Sequence, residues 1–143
     1  MLIKKEIIIN SDVKKVWKVF CELENWPKWG YYILNAKWLS NKKWERGSKF
    51  VQVVKRFGIF NEIKSKSVIL NVIPTEYTKW SGTRKLVRGV HSLQFIKAGK
   101  KTKVVNTEYF EGLLAPFIFP FIKKNFEMYF EQFNKGLKNE VEK

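Results

Sequence analysis

The chain has 143 residues, a length that suits one domain, and its 45% hydrophobic and 16% aromatic content supplies material for a sizeable core. Against 13 acids stand 28 lysines and arginines, a formal +15 that would attract anions, yet the basic residues are scattered and form no tail or Arg-rich block. A single cysteine, Cys21, excludes an intrachain disulfide, and with His91 the only histidine the usual nitrogen and sulfur zinc site is excluded too.

Residues 3–9 are rich in β-branched side chains and read as a first strand. Asn10-Ser11-Asp12 offers helix caps, and Val13, Val16, Trp17 and Phe20 recur at helical spacing, so the strand runs directly into a short helix. Cys21 follows that run as a small buried hydrophobe. Asn25-Trp26-Pro27-Lys28-Trp29-Gly30 breaks the pattern as a turn or second short helix, with Pro27 suited to a first turn.

From there the chain reads as strands parted by turn chemistry, over 33–39, 50–57, 63–73, 77–81, 87–96 and 102–110. Short turns between them imply antiparallel hairpins and not βαβ units. Near the C-terminus the period changes. Ile118, Ile122, Phe126, Phe130, Phe133, Leu137 and Val141 mark one apolar face of a helix over 120–141, roughly 33 Å long, with lysines and glutamates outside. The expected architecture is α+β: a curved antiparallel sheet of about seven strands wrapped around a long C-terminal helix, with two short helices after the first strand, all in one domain spanning 1–143. The strand after the short helices cannot simply hairpin back onto the first.

No secretory signal is legible, because Met1-Leu2-Ile3 is broken at once by Lys4, Lys5 and Glu6. The longest apolar run, Leu113 to Ile122, contains two prolines and is too short to span a bilayer. A soluble, cytoplasmic protein is expected, monomeric or homodimeric. That run reads as an apolar loop ahead of the last helix. Flanked by Lys123-Lys124, it could touch an anionic membrane, close a portal as a lid, or form half of a dimer contact.

The sequence resembles the SRPBCC superfamily of START-like, polyketide cyclase-like and birch-pollen-allergen-like proteins. The resemblance covers nearly the whole chain. It is carried by residues 7–17 (IIINSDVKKVW), Trp26-Pro27-Lys28-Trp29, Trp80-Ser81-Gly82, Gly89-Val90-His91-Ser92-Leu93-Gln94-Phe95, residues 102–112 and Phe133-Asn134-Lys135-Gly136-Leu137-Lys138. It implies a helix-grip fold around a hydrophobic pocket, and no single chemistry.

Strand alternation nominates pocket residues. If Gly99-Lys100 is a two-residue hairpin turn, paired residues sum to 199, setting Phe95 opposite Val104, Leu93 opposite Asn106 and His91 opposite Glu108 on one face. The family pattern implies that this face is concave. A carboxylate opposite His91 would raise its pKa and orient its ring, making His91 and Glu108 the candidate acid/base pair. Phe110 extends the same face, and Trp29, Phe60, Trp80, Phe126 and Phe130 are further pocket candidates. Arg46, Arg56, Arg84 and Arg88 could hold an anionic group, with nothing to single one out.

The leading expectation is binding or transport of a hydrophobic small molecule (a lipid, isoprenoid or polyketide-like ring) in an internal cavity, with no cofactor. The alternative is a cyclase or dehydratase using His91 and Glu108 as acid and base; against it, the sequence has no nucleophile constellation, metal cluster or Gly-rich phosphate loop. A weaker alternative is nucleic-acid or anionic-surface binding, prompted by Lys28-Trp29, Lys37-Trp38, Lys43-Trp44 and Lys79-Trp80.

Overall fold

β1 (Leu2–Ile9) passes into α1 (Val13–Cys21) through Asp12, whose carboxylate accepts the Lys15 backbone N–H at 3.0 Å and caps the helix. At the other end of α1, the Phe20 and Cys21 carbonyls, which lack intrahelical donors, accept the indole N–H groups of Trp26 (2.8 Å) and Trp44 (2.7 Å). Those two bonds fold the chain back over α1. A single 3-10 turn (Leu23–Asn25) then leads into α2 (Trp26–Trp29), where Pro27 occupies the first turn as the sequence predicts.

The computed structural model describes residues 1–55 and 61–143. Within them, β2 (Ile33–Trp38), β3 (Lys49–Val54), β4 (Ile63–Ile73), β5 (Tyr77–Gly82), β6 (Arg88–Ala98) and β7 (Lys101–Glu111) join β1 in one antiparallel sheet, in the order β1-β7-β6-β5-β4-β3-β2. The two strands flanking α1 and α2 thus lie at opposite edges of the sheet, and the helices bridge between them. Bulges between Ile33/Asn35 and Ile69/Asn71 help the sheet curve. The β6–β7 hairpin has the register deduced from its turn: Gly99 adopts φ +64° and Ala98 pairs with Lys101, bringing Phe95 opposite Val104, Leu93 opposite Asn106 and His91 opposite Glu108.

α3 (Ala115–Val141) has 27 residues and a length of about 40 Å. It begins five residues earlier than the sequence predicts. The apolar run from Leu113 to Ile122 is therefore not a loop: most of it forms the first two turns of α3. Pro116 is tolerated in the first turn, and Pro120 withholds one N–H from the exposed Pro116 carbonyl without ending the helix. The predicted inward stripe holds: Ile122, Phe130, Phe133, Leu137 and Val141 are buried, with Ile118 and Phe126 packed beside them.

The C-terminal half of α3 is sealed. Phe133 meets Trp26 and Trp29 ring to ring at 5.4 and 5.0 Å, and Lys138 Nζ donates to the Ile8 carbonyl. Beneath α1 and α2, Phe20, Trp44, Phe50, Trp80 and Phe95 complete a solid aromatic core. All six tryptophans belong to this core or pack against it; of the four in Lys-Trp pairs, Trp80 is buried, and Trp29, Trp38 and Trp44 are partly buried.

Candidate functional site

The other half of the grip is hollow. A cavity of about 1110 Å³ lies between the concave faces of β3 to β7 and the first turns of α3. Its apolar walls include Val54, Ile63, Val87, Phe110, Ile118, Ile122 and Phe126. Among the described residues, Gln52, Ser65, Ser67, His91, Glu108 and Tyr129 contribute polar groups, and Asn61, Glu62, Lys64, Lys66, Thr83, Arg84 and Lys85 add polar and charged side chains along its border. Residues 83–87 between β5 and β6, the stretch 61–64 and the start of α3 border it on the solvent side. No helix among the described residues is long and apolar enough to cross a membrane.

Of the residues nominated from the sequence, Trp80, His91, Glu108, Phe110 and Phe126 line this space. Trp29, Leu93, Phe95, Asn106 and Phe130 do not. Phe95 is enclosed by Trp17 and Phe20, both at 5.1 Å, and Trp29 packs on Phe133. Leu93, Asn106 and Phe130 are wholly buried. These five point inward as expected, but at levels of the grip where α1, α2 and the C-terminal half of α3 approach closely enough to leave no void. Phe60 and Arg56 lie outside the described residues.

The His91–Glu108 pair also needs correction. The two face each other in register, yet the His91 ring turns to Asn106, with Nε2 and Oδ1 2.5 Å apart. Asn106 Nδ2 donates in turn to Asn134 Oδ1 at 3.1 Å, so its Oδ1 is the acceptor and His91 Nε2 carries a proton. The imidazole lies between Trp80 and Phe130, ring centroids 4.5 and 4.8 Å away. That burial drives its pKa down to about 4, with the Asn106 hydrogen bond opposing, and holds the ring neutral. His91, Asn106 and Asn134 thus tie β6, β7 and α3 together at the cavity's inner boundary.

Glu108 leans the other way, across Gly89. A Cβ at Gly89 would collide with Glu108 Oε1, so the missing side chain makes the space that the carboxyl occupies. Part of Glu108 remains accessible because it faces the cavity, but the surrounding strands and α3 shield it from bulk water. Burial pushes its pKa up to about 8, which makes it a neutral acid at pH 7. Tyr129, buried nearby on α3, has its phenol pushed up by burial and by the adjoining Glu108.

Sequence reasoning missed Gln52, Ser65, Ser67 and Tyr129. A signal was present in the alternation Lys64-Ser65-Lys66-Ser67: small hydroxyl residues occupy the inward positions where a core strand would carry large apolar ones. Asn134 had a signal as well, a polar residue four positions after Phe130 within the buried stripe.

Several solved structures share the fold over 99% of this chain. A START superfamily protein from Mycobacterium smegmatis superposes with a TM-score of 0.81 at 15% identity, covering 97% of that chain. The Zhui aromatase/cyclase from Streptomyces sp. R1128 gives 0.82 at 11% over 93% of its chain. The major latex-like protein 151 of Panax ginseng gives 0.82 at 12% over 97% of its chain. No curated protein matches the sequence. Residues 2–142 match the family described as polyketide cyclase / dehydrase and lipid transport, and the chain belongs to that family.

Proposed function

We propose that the protein binds or carries a hydrophobic small molecule with one polar end, held in the cavity between the sheet and the first turns of α3. The observation that carries this reading is the cavity itself: about 1110 Å³ and apolar over most of its wall surface, with Glu108, His91, Gln52 and Tyr129 among its polar groups. Phe110, Phe126, Ile118 and Ile122 would take the apolar body of the ligand, with Trp80 and His91 at its inner end. Glu108, as a neutral acid, can donate a hydrogen bond to a carbonyl or hydroxyl oxygen. Gln52 Oε1, which has no hydrogen-bond partner among the described residues, can accept one from a ligand hydroxyl.

Native mass spectrometry of the freshly purified protein, followed by solvent extraction, tests this. A stoichiometric apolar adduct released on denaturation is expected. A clean apo mass, together with no thermal shift from a panel of lipids and polycyclic phenols, would sink the reading.

A second reading, cyclase or dehydratase chemistry, is favoured by one feature: a protonated carboxyl facing a largely apolar cavity is poised as a general acid. The acid in it is Glu108 rather than a His91–Glu108 couple, because His91 is neutral and engaged with Asn106. Among the structural neighbours, an aromatase/cyclase has this fold. In the same extraction experiment, an added ligand recovered with an altered mass would favour catalysis over carriage.

A further inference from the structure

We propose that the first two turns of α3, with the β5–β6 loop beside them, dock the cavity mouth onto an anionic lipid bilayer. Leu113, Phe117 and Phe121 are 77%, 73% and 72% exposed, and Leu86 stands near them at 58%. Leu86 is held there because its carbonyl accepts the Leu114 N–H and lies against Gly112, whose φ of +112° and lack of a Cβ permit the approach. Phe117 and Phe121 are one helical turn apart on the outward stripe of α3, which farther along becomes charged at Glu131 and Lys135. The inward stripe of the same turns is supplied by Ile118 and Ile122, so folding has no use for the outward phenyl rings.

Charge identifies the occupant. Residues 83–87 and 112–124 contain four cations, Arg84, Lys85, Lys123 and Lys124, all exposed, and no acid. The nearest acid in sequence, Glu111, is already paired with Arg88, and Glu62, which also borders the cavity, is outnumbered there by Lys64 and Lys66. A second copy of the chain would bring +15 against +15. A nucleic acid would satisfy the cations but offer no hydrocarbon phase for Leu113, Phe117 and Phe121. An anionic bilayer satisfies both, with phenyl rings below the headgroups and lysines among them. The first-turn N–H groups of α3 are spent on Gly112 and Leu114 carbonyls, so the attraction rests on side chains. Because Ile118 and Ile122 wall the cavity while Phe117 and Phe121 face out from the same turns, docking sets the cavity entrance against the hydrocarbon.

The test reads vesicle binding and not cargo, so it stands or falls independently of the ligand reading. The full chain is sedimented with vesicles of pure phosphatidylcholine and of phosphatidylcholine mixed with phosphatidylglycerol. Binding to the mixed vesicles alone is expected. The double variant F117S/F121S should weaken it roughly tenfold for each ring, and K123Q/K124Q roughly fivefold for each lysine. All four side chains are exposed, and circular dichroism will verify that the fold is kept. K97Q/K100Q, at the far hairpin between β6 and β7, makes the same charge change and should bind like the parent. Three results would overturn the proposal: no sedimentation with either vesicle, equal losses for the two lysine pairs, or full binding by F117S/F121S. A dimer in sedimentation equilibrium that dissolves in F117S/F121S would also overturn it, by assigning the face to a second copy.

Discussion

Beneath α1 and α2 the grip is filled with rings: Phe20 lies 4.9 Å from Trp44 and 5.1 Å from Phe95, and Trp26 and Phe50 close around them. Toward the β5–β6 loop the same concave surface carries Ser65, Ser67, Gly82 and Gly89, and the space between sheet and helix stays open. Trp80 belongs to both regions, touching Phe20 and Phe50 on one side and the cavity on the other. The difference is one of side-chain volume on a common scaffold. Where helices deliver large rings onto the sheet, the interior reaches solid packing; where inward positions are small or polar, a void persists.

The filled end should be much the less forgiving of truncation. Trp26→Ala removes a wholly buried ring and strands the Phe20 carbonyl that accepts its indole, so a loss of about 3–5 kcal/mol is expected in urea unfolding. A loss below about 1 kcal/mol would mean that this end is loosely packed after all. The hollow end should tolerate the opposite change. Ser65→Trp adds a ring to open space, so stability should stay within about 1 kcal/mol of the parent. Its bound ligand should disappear from the native mass spectrum. If that variant retained its adduct, the ligand would lie elsewhere.

This contrast explains what could and could not be read in advance. Strand positions followed from turns and alternation, and β4 was legible to the residue. The β6–β7 register followed from one glycine turn, because hairpin geometry is local. The start of α3 was not legible, because Pro116 and Pro120 read as breakers although one falls in a first turn and the other costs a single hydrogen bond. The direction of Glu108 was not legible either. It depends on whether the carboxyl finds more room over Gly89 or beside His91, and His91 was already held by Asn106. Whether an inward aromatic fills or lines the interior depends on how closely a helix approaches, a distance set by the whole fold.

The subtlest difference between the two regions is electrostatic, and pH exposes it. Glu108, raised to about 8, keeps a proton that the unfolded chain releases near 4.5. Its contribution to stability is therefore complete below 4.5 and declines as pH rises toward 8. His91, lowered to about 4, acts in the opposite sense: between 4 and 6.5 the unfolded chain binds a proton that the folded one does not, so stability rises with pH. The two oppose each other between 4.5 and 6.5. Glu108 acts alone of the pair between 6.5 and 8, where stability should fall by at most about 1.4 kcal/mol per pH unit. The exposed carboxylates of Glu6, Glu131 and Glu142, held low by lysine partners, exert their effect only below this window. Urea unfolding of Glu108→Gln across pH 5–8 checks the assignment: its stability should be flat above 6.5, and below that should show the His91 rise unopposed. An unchanged slope above 6.5 would mean that Glu108 is already ionised in the folded protein, and the cavity would then present a fixed anion in place of a neutral acid.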